Sequence, residues 1–440
     1  MSAIDPILLT ALMFGAMMLL MLVGMPLTFA LGVVSIGIVA ILWGPGGLSM
    51  IYYGTFGVTY SFALSAIAPF IFMGIVLQES GIGEEAFDMI YRIMGGIPGG
   101  LAIGVVFVCA LIAAMVGQTG PATLTMALIA LPALMKRGYD KRMVTGVIQA
   151  GGALGILIPP SVTMIIISFL SRQSPGKMFA AGIFPGLLLV VLFSLYIYIR
   201  CLLQPQMGPP VPPEERCNWL EKLKSMKSLI LPSFLIFLVL GLIIFGVTSP
   251  TEAAGVGAIG SLLCVYLHRN LTWKILKESV FTTGRIMGTI MWIIIPAVAF
   301  SKIYHGLGAH VMLKNFIEHF GIGPYGVIIM MMASYFILGM FLETAAITFL
   351  TIPLYVPIIT QLGFDPIWFG ILYIMCQESA YLTPPYGFNL FYMKAVAPPE
   401  ITIEDIYLSI VPFVGLQIIA LIFVIIFPQI ALWLPSVMFR

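Results

Sequence analysis

Long apolar runs separated by short polar turns make up nearly the whole chain. Segments 8–25, 229–247 and 408–427 each supply about 20 mostly apolar residues, the length of helix that crosses a bilayer. The pattern therefore predicts an all-α polytopic membrane protein. Segment 204–228, with seven charges and five prolines, breaks the pattern and reads as a cytoplasmic linker between two halves.

Composition supports this prediction and excludes several kinds of protein. The chain is 60% hydrophobic and 9% charged, whereas soluble domains average about 25% charged residues. A net charge of +2 gives no reason to expect a nucleic-acid partner. The five cysteines form no CxxC pair and the four histidines form no HExxH, so we expect no cofactor and no metal site of these types.

The chain repeats itself at one fixed offset, the one that separates Thr119 from Thr344, without a gap across the matched stretch. Matching leucines would mean little in so apolar a chain, but matching Gly, Pro, Asp and Thr at one offset indicates a duplication. The identical pairs are Thr119/Thr344, Thr123/Thr348, Pro132/Pro357, Gly138/Gly363, Asp140/Asp365, Pro159/Pro384 and Pro160/Pro385.

The loop charges predict that the two copies have opposite orientations. MKRGYDKRM carries Lys136, Arg137, Lys141 and Arg142, whereas its counterpart ITQLGFDPIW carries no Lys or Arg. The positive-inside rule puts only the first loop in the cytoplasm and the N-terminus in the periplasm. About five crossings and one re-entrant hairpin per half give two inverted-topology repeats, which are typical of secondary transporters.

The repeats are expected to have matching parts. The first, 1–203, contains a hairpin at 98–136 and a broken helix at 141–170. The second, 229–440, contains a hairpin at 323–360 and a broken helix at 366–397.

Two kinds of break are expected within these parts. The hairpin tips are GQTGPAT and GMFLETAAIT, and the helix-breaking prolines are Pro159, Pro160, Pro384 and Pro385. Broken backbone at membrane depth lines a cavity or is buried in protein, and its freed carbonyls coordinate cations. One double proline alone would suggest a simple kink. Two at matching positions favour a sodium site formed by the carbonyls of Gly152, Gly155 and Ile158 with Thr119.

Two carboxylates lie in otherwise apolar surroundings, namely Glu343 and Glu378. A charge at the bilayer centre is costly, so each is a candidate for binding a cation or carrying a proton. The alternative for Glu378 is a protonated side chain that hydrogen-bonds to a neighbouring helix.

The segments GQTGPAT…MKRGYDKRM…GILIPPSVT and FLETAAITFLTIPLYVPII…GFDPIWFGILYIMCQESAYLTPPYGFNLF resemble the large membrane (M or DctM-type) subunit of tripartite ATP-independent periplasmic (TRAP) transporters. The resemblance implies an elevator-type fold of the ion-transporter superfamily, with a scaffold and a moving transport domain. It also implies sodium-coupled uptake of a small organic anion across the bacterial inner membrane. The expected partners are a periplasmic substrate-binding protein and a small four-helix membrane subunit on a separate chain.

The resemblance also implies site residues, to which Glu378 is added from its own surroundings. The expected sodium ligands are Gly117, Thr119, Gly152, Gly155 and Ile158 at one site, and Glu343, Thr344, Glu378, Ala380 and Thr383 at the other. The side chains expected nearest the substrate are Gln118, Thr123, Ser161, Thr163, Thr348 and Asn389. No intramembrane arginine is expected to pair with the anion, since Arg172 is placed at the periplasmic end.

Three other functions are alternatives for such a chain. A stand-alone ion- or proton-coupled carboxylate carrier of the same superfamily would need no binding protein. A channel would not need paired inverted hairpins, which indicate alternating access. An intramembrane enzyme would need a nucleophile–base or metal cluster, and none is found. The absence of GxxxxGK[ST] argues against ATP hydrolysis by this chain.

Overall fold

A computed structural model describes residues 6–439 except positions 213, 215–217, 219–221, 223, 224, 309–320 and 386. The described chain is helical with intervening turns, as expected for an all-α protein. Part of the linker expected at 204–228 lies outside the described residues.

The helices before the linker are α1 (Pro6–Leu22), α2 (Leu27–Leu42), α3 (Leu48–Thr59), α4 (Ile67–Glu79), α5 (Ile82–Met94), α6 (Gly100–Val116), α7 (Thr119–Lys136), α8 (Lys141–Ala153), α9 (Val162–Ser171) and α10 (Pro175–Leu203). Those after it are α11 (Lys227–Ile244), α12 (Pro250–Leu267), α13 (Trp273–Gly306), α14 (Pro324–Gly339), α15 (Thr344–Gln361), α16 (Pro366–Tyr381), α17 (Phe388–Val396), α18 (Ile403–Ile426) and α19 (Gln429–Met438).

Helix length and hydropathy identify the candidate membrane spans. Among the described residues five helices are long and apolar enough to cross a membrane, or up to six if the bent pair Pro45–Thr59 and Leu64–Glu79 counts as one span. The five are α10, α12, α13, α15 and α18, and seven shorter apolar helices accompany them. The two segments of the bent pair meet at 54°. Many large apolar side chains are exposed on the outer surface, as lipid contact requires.

The ends of corresponding helices in the two halves are separated by the same number of residues as Thr119 and Thr344. Helix α7 runs from Thr119 to Lys136 and α15 from Thr344 to Gln361, so both ends match, and the starts of α8 and α16 match in the same way. The N-cap aspartates explain the shared start of α8 and α16. The Asp140 side chain accepts hydrogen bonds from the two backbone N–H groups at the start of α8, and the Asp365 side chain accepts one at the start of α16.

The helices pack as two groups. In one, α13 packs on α2, α3 and α4, and α12 packs on α4 and α11. In the other, α8 packs on α6, α7 and α18, while α16 packs on α10, α14 and α18. The groups meet where α13 lies against α15 and where α4 lies against α6.

Polar contacts hold the first broken helix against the second half of the chain. Asp405 at the start of α18 pairs with Lys141 and with Arg142, the latter at 3.0 Å. Further along α8, the Gln149 side chain donates to Ser409 at 3.3 Å, and Asn389 donates to the Gln149 carbonyl at 3.0 Å. Helices α8, α17 and α18 are therefore fixed to one another.

Candidate functional site

A cavity of about 340 Å³ lies between α13 and the two hairpin tips. Its volume is within the range of pockets for small molecules. The lining residues come from both halves of the chain: Gln118, Thr119, Gly120, Pro121, Ile156, Val162, Thr163, Ile166, Arg285, Ile286, Thr289, Ile290, Ile293, Glu343, Thr344, Ala345, Thr348, Tyr381, Phe388 and Tyr392.

The first hairpin tip is a two-residue turn. Helix α6 ends at Val116, Gly117 adopts a left-handed conformation with φ +66°, and α7 begins two residues later. A side chain at Gly117 would be strained by this φ, and its Cβ would lie 2.7 Å from the Pro160 carbonyl oxygen. Glycine therefore lets the tip rest directly on the first break.

The first break is a gap of several residues in the helix. Helix α8 ends at Ala153, a 3₁₀ turn spans Leu154–Ile156, and α9 resumes at Val162. The peptide bond between Pro159 and Pro160 is cis. The Ser161 hydroxyl donates to the Ile156 carbonyl at 2.7 Å and accepts from the Met164 N–H, so it caps α9.

Two glycines bring the first break against α7. A Cβ at Gly155 would lie 2.7 Å from the Gln118 carbonyl carbon and 3.1 Å from the Thr119 nitrogen. A Cβ at Gly152 would lie 2.9 Å from the Thr123 Cβ. The break and the tip therefore touch backbone to backbone, with the peptide oxygens of Gln118 and Pro160 at the junction.

The second hairpin tip is capped by a carboxylate. Glu343 Oε2 accepts from the N–H of Ala345 at 2.8 Å and of Ala346 at 3.3 Å, which places its charge at the positive end of α15. The next side chain, Thr344, bonds to the Tyr381 hydroxyl and to Gln377 Oε1 at 3.3 Å. Glu343 thus acts as an N-cap as well as a cavity wall.

The second break follows α16, which ends at Tyr381. The Thr383 hydroxyl donates to the Ser379 carbonyl at 2.7 Å, and the Thr383 carbonyl accepts from the Gly387 N–H at 3.2 Å. The Pro384–Pro385 bond is cis, and α17 starts at Phe388. The hydroxyl and the carbonyl of Thr383 therefore both form hydrogen bonds with residues next to the break.

Three residues of α16 that the sequence did not single out hold the second tip in place. Tyr373 donates to the Thr344 carbonyl at 3.0 Å and shares a 2.6 Å hydrogen bond with the Thr348 hydroxyl. Gln377 and Tyr381 contact the Thr344 side chain. Their spacing of four residues puts all three on one helix face, and this periodicity of polar groups in an apolar helix was the available sequence signal.

We predict that Tyr373→Phe lowers the stability of the fold. The change removes one hydroxyl that serves two buried partners on α15, at a cost of roughly 1 kcal/mol. In a chain of this size the midpoint of thermal unfolding in detergent should fall by about 1 °C. Tyr198→Phe on α10 is the matched control, since that side chain is 40% exposed and its change should leave the midpoint unaltered. Equal midpoints for Tyr373→Phe and the parent would contradict the prediction.

The expected site residues fall into three sets. Gln118, Thr119, Thr163, Glu343, Thr344 and Thr348 line the cavity. A second set belongs to the tips and breaks but does not line the cavity: Gly117, Thr123, Gly152, Gly155, Ile158, Ser161, Ala380 and Thr383, together with the four helix-breaking prolines.

Asn389 and Glu378 lie elsewhere. Asn389 is buried against α8, where it donates to the Gln149 carbonyl, and it does not line the cavity. Glu378 is 0% exposed, and neither of its oxygens has a hydrogen-bond partner among the described residues. Because its neighbour Gln377 faces α15, Glu378 points about 100° away around α16.

Arg285 lines the cavity, contrary to the expectation that no intramembrane arginine would stand near the substrate. Helix α13 runs unbroken for 34 residues, about 50 Å, and Arg285 lies roughly one third of the way along it. The side chain is exposed on the face of α13 that meets the two tips.

Apolar helices, two interrupted helices and a cavity lined by both halves define a multi-pass membrane transporter. The match to a known family identifies which class of transporter it is. Residues 14–430 match the family model described as "Tripartite ATP-independent periplasmic transporter, DctM component". The chain belongs to this family, and its membership implies a small membrane subunit and a periplasmic binding protein as partners.

Named relatives match nearly the whole of this chain. The C4-dicarboxylate TRAP transporter large permease protein DctM of Vibrio cholerae is 28% identical, with 97% of this chain and 98% of the relative covered. The ectoine TRAP transporter large permease protein TeaC of Halomonas elongata is 28% identical, with 98% and 100% covered. The isethionate TRAP transporter permease protein DctMQ of Oleidesulfovibrio alaskensis is 27% identical, with 98% and 66% covered.

Solved structures share the fold. The YdaH transporter of Alcanivorax borkumensis superposes with a TM-score of 0.61 at 15% identity, covering 86% of this chain and 89% of that one. MtrF of Neisseria gonorrhoeae superposes with a TM-score of 0.58 at 14% identity, covering 87% and 84%. At these identities the likeness concerns fold alone.

Proposed function

We propose that this chain is the permease of a sodium-coupled symporter that takes up a small organic anion, delivered by a periplasmic binding protein, through an elevator motion. The observation that carries the proposal is the meeting of both hairpin tips, and of residues from both broken helices, around one cavity. Inverted-repeat transporters bind substrate and ions where broken helices meet near the midplane.

One sodium ion is proposed at the first tip and break. The contact of Gly117 with Pro160, and of Gly155 with Gln118, supports this because it gathers peptide oxygens next to Thr119. Sodium is a hard cation that suits such oxygens.

A second sodium ion is proposed at the second tip, with Glu343, Thr344 and the carbonyl oxygens around Ala380 and Thr383 as its surroundings. Glu343 supplies the negative charge that the first site lacks. Glu378 is not part of this proposed site, since it points off the face of α16 that contacts Thr344.

The elevator motion and the inverted orientation are proposed together. The two packing groups supply a scaffold (α1–α4 and α11–α13) and a transport domain (α6–α10 and α14–α19). The cavity lies between α13 of the first group and the tips of the second, where a sliding motion would carry a bound molecule along α13. The N-terminus is proposed to be periplasmic, in the bacterial inner membrane.

The substrate is proposed to be a small carboxylate or sulfonate. Relatives are named for C4-dicarboxylates, isethionate and sialic acid, and others for ectoine. A stand-alone carrier of the same superfamily is the alternative, but the family match favours a tripartite system.

Uptake by the reconstituted system tests the proposal. Proteoliposomes that contain this chain and its small subunit should take up one acid from a panel of succinate, isethionate, sialic acid and ectoine. Uptake should require both the binding protein and an inward sodium gradient. Uptake without the binding protein would favour the stand-alone carrier, and uptake that ignores sodium would contradict the proposed coupling.

A further inference from the structure

One face of α13 forms the cavity wall opposite the hairpin tips. Arg285, Ile286, Thr289, Ile290 and Ile293 line the cavity from this helix, and their spacing of one, three and four residues puts them on one side. Arg285 is the charged member of this set. The Thr289 hydroxyl donates to the Arg285 carbonyl at 3.0 Å, so its proton is directed at its own helix.

The Arg285 guanidinium is not neutralised within the described chain. None of the ion pairs between described residues includes it. The carboxylate on the opposite wall, Glu343, accepts two N–H bonds at the start of α15, and it forms no ion pair with Arg285 in the described chain. A guanidinium on an otherwise apolar wall is suited to a planar acid group, which it binds through two parallel hydrogen bonds.

A second, open cavity lies along the exposed face of α13 between the start of the helix and Arg285. It measures about 480 Å³, and all of its lining residues belong to α13: Trp273, Lys274, Lys277, Glu278, Phe281, Thr282 and Arg285. Lys274 lies 3.9 Å from Glu278 and offsets its charge, which leaves Lys277 and Arg285 as the net positive charge. Arg285 lines both cavities.

We propose that Arg285 and Lys277 form a cationic vestibule on α13 that selects for anions at one mouth of the cavity. The basic segment that leads into α13, HRNLTWKILKE, places this mouth on the cytoplasmic side by the positive-inside rule. The acid group of the cargo contacts Arg285 as it leaves the hairpin tips, and Lys277 continues the positive surface outwards. The identity of the cargo as an organic anion rests on the proposed function, whereas the electrostatic selection does not.

Charged thiol reagents measure this selection directly. Thr289→Cys, one turn from Arg285 in the cavity wall, is introduced with Cys217→Ser into the complex of large and small subunits, and the four other cysteines are buried. Its rates of modification are compared for anionic sulfonatoethyl and cationic trimethylammonioethyl methanethiosulfonate. We expect Arg285→Gln to lower the anionic-to-cationic rate ratio by about fivefold at low salt.

Three further variants make the test specific. Arg285→Lys should keep the ratio near that of the parent because it keeps the charge, and Lys277→Gln should lower the ratio by about twofold. Lys302→Gln, a charge removal on the same helix outside both cavities, should leave the ratio unchanged. An unaltered ratio in Arg285→Gln, or an equal drop in Lys302→Gln, would overturn the vestibule. Loss of sodium dependence in the uptake assay would overturn the proposed function instead, because the reagent ratio needs neither sodium nor a known cargo.

Discussion

Replacing Gly155 with alanine should strongly reduce sodium-stimulated uptake at physiological sodium while the protein still inserts into the membrane. The added Cβ would lie 2.7 Å from the Gln118 carbonyl carbon and 3.1 Å from the Thr119 nitrogen, both of them backbone atoms that cannot rotate away. The hairpin tip must therefore move off the break. Overpacking of this kind costs about 1–3 kcal/mol, and each 1.4 kcal/mol is about tenfold in affinity, so half-maximal uptake should need about fivefold to a hundredfold more sodium.

Gly255→Ala is the matched control for this substitution. Gly255 lies in α12, and among the described residues no atom outside its own helix backbone and chain neighbours lies within 4 Å of the position that its Cβ would take. Both variants are reconstituted at equal amounts, and uptake is measured as a function of sodium concentration. A normal sodium dependence in Gly155→Ala would show that the contact between tip and break does not form an ion site.

Replacing Glu343 with alanine should have the second largest effect. The change removes the acceptor of two N–H bonds at the start of α15, a loss of about 1 kcal/mol for an N-cap, and it also removes the negative charge beside Thr344. Together these should raise the sodium concentration for half-maximal uptake by more than about tenfold. The measurement is again the sodium dependence of uptake in proteoliposomes.

Two further variants distinguish the loss of the N-cap from the loss of the negative charge in Glu343→Ala. Asp365→Ala removes the N-cap of α16, whose carboxylate accepts from Ile367 at 2.7 Å and does not line the cavity. It should cost similar stability and leave sodium dependence intact. Glu343→Asp keeps both the cap and the charge and should remain active. Equal sodium dependence in Glu343→Ala and Asp365→Ala would mean that Glu343 is only a cap.

The interruptions in the helices could be predicted because local chemistry sets them. Asp140 and Asp365 are strong N-caps, and each begins a helix at the next residue. Helix α8 ends before the first double proline, and α16 ends before the second. The Gly-rich first tip likewise follows from the left-handed turn that Gly117 adopts. None of these features depends on distant parts of the chain.

The directions of buried side chains could not be predicted in the same way. Asn389 and Gln149 lie far apart in the sequence and meet only in the folded chain. The sequence around Asn389 therefore did not indicate that its side chain would hydrogen-bond to α8 instead of lining the cavity. Glu378 was singled out because it is charged in an apolar segment, but helix rotation directs it away from α15. In both cases tertiary packing decides which face of a helix meets the cavity.

Other residues proved important in the structure although the sequence did not single them out. Arg285 lies in a helix that the repeat comparison did not cover, and its position became evident only when α13 was seen to pass both tips. Tyr373, Gln377 and Tyr381 lie within the repeat but have apolar or unremarkable neighbours in sequence. Their four-residue spacing marks one polar face of α16, but their partner, Thr344 on the adjacent hairpin, is set by the packing of two separate helices.

We propose that two oppositely oriented copies of one unit build the cavity. Lys136 and Gln361 test it most directly, because they are the exposed last residues of the matching helices α7 and α15. Each is replaced by cysteine in a Cys217→Ser background and labelled with a membrane-impermeant maleimide from either side of the membrane. We predict that Lys136→Cys reacts only from the cytoplasm and Gln361→Cys only from the periplasm. Labelling of both from the same side would contradict the inverted repeat and the site that depends on it.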